Sequence, residues 1–82
     1  MRVYRLDAFA QEEQAARGPV AIEALQRALA KSGNAGFLLS ITGAQFKTTT
    51  ATYLQAHLPA AGMQMRRSST EPEYDVWHVT RA

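Results

Sequence analysis

Gly43-Ala44-Gln45-Phe46-Lys47-Thr48 follows an apolar run and precedes a threonine-rich stretch, the place where a phosphate-binding loop joins a strand to a helix. That loop needs a second glycine directly before its lysine and a longer turn, so nucleotide binding of that kind is excluded. A simpler anion site remains. Lys47, Thr48 and Thr49 stand at a helix start, where free backbone amides can hold an anion or a nucleic-acid phosphate. The ordinary role of Thr48, Thr49 or Thr50 is to cap the helix, with Lys47 in solvent. Arg66, Arg67 and Arg81 supply planar guanidinium groups suited to phosphates. Neighbours in a strand face opposite sides, so only one of Arg66 and Arg67 can join any one patch. Glu71 and Glu73 follow closely and would repel the same phosphates.

The remaining chemistry is sparse. His57 and His78 are the only histidines, and neither has a second ligand at metal-binding spacing. No cysteine is present, which excludes disulfides, thiolate metal sites and persulfide or thioester nucleophiles. No serine, histidine and carboxylate are grouped in a catalytic motif, so neither an enzyme nor a bound cofactor is expected. Trp77, with Tyr74, Tyr53, Met63 and Met65, is the set best suited to anchor a protein contact.

These side chains must be positioned by a short series of elements. Met1 to Leu6 reads as a strand. From Pro19 the signals for a helix agree: proline suits a first helical position, Ile22, Leu25 and Leu29 share a face, and Glu23 can reach Arg27. Ser32-Gly33-Asn34 stops it. Between strand and helix, Asp7 to Arg17 reads as a loop or short helical turn with Phe9 as its one large anchor. Phe37 to Ile41 is an apolar run bracketed by Gly36 and Gly43, as in a central strand covered on both sides. A second helix carries Tyr53, Leu54, His57 and Leu58 and is shortened or kinked at Pro59. Met63 to Ser69 and Tyr74 to Arg81 read as strands joined by the polar loop Thr70-Glu71-Pro72-Glu73. The order is β-α-β-α-β-β, which implies an α+β two-layer sandwich with two helices on one face of a mixed four-stranded sheet.

Length and charge bound the rest. Eighty-two residues make one small domain, near the lower limit for a core without disulfides or metal, so self-association would help it. Nine basic residues against seven acidic ones give a net charge of +2, with a pI near 9.4. That balance is short of a nucleic-acid footprint by charge alone. No apolar run is long enough to span a bilayer and the N-terminus lacks signal-peptide order, so a cytoplasmic protein without membrane contact is expected.

Leu6-Asp7-Ala8, Gly18-Pro19, Ala28-Leu29, the glycine ahead of Phe37 and Ala61-Gly62-Met63 together resemble the small TusA/SirA-like sulfur-carrier family. The family's Cys-Pro pair opens its first helix, and its cysteine carries sulfur as a persulfide. Here Gly18-Pro19 stands in that place. The resemblance implies the fold retained and the carrier chemistry lost, with Gly18 and Pro19 as a vestige of the motif. Alba-like chromatin proteins and the C-terminal domain of bacterial translation initiation factor three share the element order, and Thr48 to Leu58 with the following hairpin resembles a winged helix. All three imply nucleic-acid binding. Two functions are therefore expected in turn: a non-catalytic module binding a protein partner or a second copy, and nucleic-acid binding through Lys47, Arg66, Arg67 and Arg81.

Overall fold

In the computed structural model, which describes residues 1–82, Phe37, Leu39 and Ile41 are fully buried while Leu38, Ser40 and Thr42 between them are half-buried. That alternation sets the two layers. Strand β1 (Val3–Asp7) leads to helix α1 (Gln14–Ser32), β2 (Phe37–Thr42), α2 (Lys47–His57), and the hairpin β3 (Met63–Thr70) and β4 (Tyr74–Arg81). The sheet order is β1-β2-β4-β3, with β1 parallel to β2 and the other pairs antiparallel. The expected α+β architecture is the one observed. Its core gathers Leu25 and Leu29 of α1, Leu54 of α2 and the inward residues Leu39, Ile41, Trp77 and Val79.

β2 is internal, as expected, but it is not covered on both sides. Register places Val3, Leu38, His78 and Arg66 in one row across the outer face, and Arg5, Ser40, Val76 and Ser69 in the next. No element lies over these rows, so the apolar run read as doubly covered carries a half-exposed side at Leu38.

The larger correction concerns α1. It begins at Gln14, after a short 3-10 turn over Gln11–Glu13, so Pro19 is an interior residue and not its first. The run Gln11 to Ala16 is made of good helix formers. Its start is fixed by Ala10 and Glu13, whose backbone and side chain bond reciprocally, with the Ala10 amide 3.0 Å from Glu13 Oε1. Pro19 removes the amide that would meet the Ala15 carbonyl. Ala15 and Pro19 are both exposed, and water can take up that carbonyl. Glu23 and Arg27 form no ion pair, the helix having only the exposed pair Arg17–Glu13. Gly33, with φ of 67°, ends α1 at the expected place. The chain then enters β2 through Gly36.

Helix α2 starts at Lys47 without a threonine cap. Thr50 is instead fully buried, its hydroxyl accepting from the Phe9 amide at 2.8 Å and donating to the Phe9 carbonyl at 3.1 Å. This local competition for backbone groups is common for threonine. Here it fastens the segment before α1 to α2. At the other end α2 stops at His57 and Leu58 closes its last turn, ahead of Pro59 and a left-handed Gly62, as the proline requires.

Gly18 is buried where α1 meets α2, and a β-carbon there would overlap the Tyr53 ring. That ring cannot simply move aside, because Phe9 packs edge-on against it at 5.9 Å and His57 stacks on it at 4.1 Å. Glycine permits the close approach. An interior Gly→Ala change ordinarily stabilises a helix by about 1 kcal/mol. Gly18→Ala is expected to do the opposite, destabilising by about 1–3 kcal/mol through overpacking. In a Tyr53→Ala background the same change should become stabilising, as urea denaturation of the four chains would measure.

Candidate functional site

The one buried ion pair lies in the loop that resembles a phosphate-binding turn. Lys47 Nζ sits 2.8 Å from Asp75 Oδ1 and also donates to the Glu71 carbonyl. The two side chains are 13% and 2% exposed. The loop before Lys47 is held from the same side, since the Gly43 amide donates to the Glu73 carbonyl at 2.8 Å. The lysine thus tethers the start of α2 to the β3–β4 turn, and its charge is met by a carboxylate of the same chain. An incoming anion would have to displace Asp75.

The other residues expected to bind fall on separate surfaces. Thr48 and Thr49 line an open hollow of about 450 Å³ with Gln11, Gln14, Tyr53 and His57, and Lys47 does not line it. Arg66 faces the outer side of the sheet, opposite His78. Arg67 faces the helices, its guanidinium 4.8 Å from the centre of the Trp77 ring. Trp77 is only 3% exposed and belongs to the core, so it is not a free anchor for a contact. Arg81 lies at the end of β4, opposite Met63. Four residues along the strand separate it from Trp77, roughly 13 Å. The basic residues form no single patch.

Neither histidine has a carboxylate partner. His57 Nδ1 bonds the Tyr53 carbonyl at 2.8 Å, and His78 Nε2 bonds the Ala35 carbonyl at 2.9 Å. No cluster of histidine and carboxylate side chains is arranged to hold a metal ion. No helix is long and apolar enough to cross a membrane. Gly18 and Pro19 lie in the second turn of α1, past the first-turn amides, so a nucleophile at Gly18 would not cap the helix start in the way that lowers a thiol pKa.

The structure also brings forward Arg5, Arg27, Lys31 and Val3, which sequence spacing did not single out, and leaves Tyr74, expected as a contact residue, on the surface. Arg5, Arg27 and Lys31 have no carboxylate within ion-pair distance. Val3 is 59% exposed and Tyr74 39% exposed on the outer face of the sheet. The inward and outward alternation of β1 and β4 was a usable signal for the last two. For Arg27 and Lys31 the only signal was their spacing four apart on one helix face.

These features define a two-layer α/β sandwich with one open sheet face. Comparison with known proteins finds no matching family model, no matching curated protein and no matching solved structure. Removing Lys47 tests the ion pair. Lys47→Met leaves a buried carboxylate alone and is expected to cost about 3–5 kcal/mol, whereas Lys47→Met with Asp75→Leu should be near neutral. Urea denaturation of both variants checks the difference.

Proposed function

We infer that this chain is a non-catalytic binding module with a TusA/SirA-like fold, and that it seats a protein surface on the outer face of its sheet. The observation that carries the reading is the row pattern of that face, which leaves Val3, Leu38, Val76 and Tyr74 exposed or half-buried with no layer over them. Such a mixture of apolar side chains with Ser40, Thr42 and Arg66 matches the composition of non-obligate interfaces. Size also fits. The molecule measures 32 × 26 × 16 Å, so its broad side is comparable to the ~800 Å² per partner of a standard interface. A second copy is the first partner to consider, because a domain this small gains most from added burial.

Element order supports the family reading, while the interior position of Gly18-Pro19 does not. The binding of nucleic acid is less well supported. Lys47 is paired with Asp75, Arg67 is stacked on Trp77, and Arg66 shares the outer face with Asp7. Sedimentation equilibrium tests the proposal: mass should rise with concentration, and Val76→Lys should abolish both the rise and the concentration dependence of the melting temperature while the monomer stays folded. A chain that stays monomeric and binds single-stranded RNA or DNA with steep salt dependence, lost in Arg66→Glu, overturns it.

A further inference from the structure

A crease runs between β1 and the exposed flank of α1, at the edge of the sheet. Two hollows of about 180 and 240 Å³ share Leu6, Ala21 and Ala24 and are therefore two ends of one apolar channel. Leu25, Ala28 and Leu39 floor one end, and Phe9 and Val20 line the other. Each hollow is smaller than the ~300–1,000 Å³ of a small-molecule pocket, which suits single side chains better than a whole cofactor.

The backbone beside the channel is unpaired. The Arg2 carbonyl accepts from the Leu38 amide at 2.9 Å, and the Ala8 amide donates to the Thr42 carbonyl at 2.8 Å. Both of these even-numbered residues face β2, and the direction alternates along the strand, so Val3, Arg5 and Asp7 turn their backbone groups to the free edge. One of those groups is already taken by a side chain, since Arg17 Nη2 donates to the Asp7 carbonyl at 3.3 Å. Arg17 closes that end. The rest of the edge is open.

Charge decides what can lie there. Arg27 and Lys31 rim the channel from α1, Arg5 borders it from β1 while standing in the outer row two residues from Asp7, and none of the three cations is met by a carboxylate. Like charges four apart on a helix repel, and the helix dipole compensates only within the last turn, which holds Lys31 but not Arg27. We propose that this crease accepts an extended acidic segment of a partner protein, which pairs with Val3, Arg5 and Asp7 as a fifth strand and places alternate apolar side chains in the channel. Main-chain bonds would give affinity, and the channel and cations selectivity. A second copy is a poor occupant. The chain's two free edges, β1 and β3, carry Arg5, Arg66 and Arg67 against the single carboxylate of Asp7, and its Glu71 and Glu73 sit in a tight turn closed by the Glu71 amide on the Tyr74 carbonyl. This proposal stands apart from the outer-face reading.

The probe is a seven-residue peptide alternating glutamate with valine or leucine, compared with the same peptide carrying lysine for glutamate. Amide hydrogen exchange should slow at Val3, Arg5 and Asp7 with the acidic peptide alone. Arg27→Glu with Lys31→Glu, both exposed positions, should weaken binding about tenfold or more while the amide spectrum stays that of a folded chain. Val76→Lys on the outer face should leave peptide binding unchanged. Equal binding of the lysine peptide, protection confined to other strands, no protection at millimolar peptide, or concentration-dependent protection of the same amides without peptide would each overturn the proposal.

Discussion

The Lys47–Asp75 pair is the interaction on which the layout of this molecule depends. It joins the first turn of α2 to the closing turn of the hairpin, across a loop otherwise held only by backbone bonds of Gly43 to Glu73, Phe46 and Lys47. A buried ion pair is rarely stabilising relative to a well-packed apolar pair, but it is costly to separate. Its effect is therefore on geometry more than on total stability. With Lys47 drawn under the hairpin, the Gly43 turn is fixed against Glu73, and β2 leads into α2 at one angle. The same contact withdraws the one cation that a helix start could have offered to a phosphate.

A second constraint sets the helix layer. Thr50 bonds both backbone groups of Phe9, and Phe9 packs against Tyr53, whose ring lies on Gly18. These four residues come from three separate segments and form one continuous contact. It holds α1 close to α2 at its N-terminal half. Towards β1, α1 presents the small side chains of Ala21, Ala24 and Ala28, while Leu25 and Leu29 of the same helix join the core, and the crease beside β1 lies over those alanines.

Much of this arrangement was legible in the residues. Phe37 to Ile41 could only be a short internal strand, and Gly33, Pro59 and Gly62 end their helices for local reasons that hold in the structure. The start of α1 was not legible, because proline is commonest at a first helical turn and Gly18-Pro19 imitates that signal. What overrides it is tertiary: Gly18 is required by Tyr53, thirty-five positions further on, and the helix formers from Gln11 onward extend the helix past it. The threonine caps failed for a similar reason, since a buried hydroxyl at Thr50 gains more from Phe9 than from its own helix end. Pairing of Lys47 with Asp75 could not be read at all. Twenty-eight residues separate them, and only the strand order brings them together.

Charge is distributed along the molecule, and sequence totals hide it. Asp7, Glu12, Glu13, Glu71, Glu73 and Asp75 gather at the end where β1 and β2 finish and the hairpin turns. Arg2, Lys31 and Arg81 lie towards the opposite end, where α1 finishes and β4 ends. A net charge of +2 thus describes a polarised body and not a uniformly basic one. Arg5, Arg66 and Arg67 outnumber Asp7 on the two free edges and oppose the strand-to-strand pairing of identical chains, a common defence of exposed edges. That defence is selective. It repels an edge of the same composition and attracts an acidic one, so the device that keeps copies of this chain from adding to one another's sheets leaves β1 open to a strand of opposite charge.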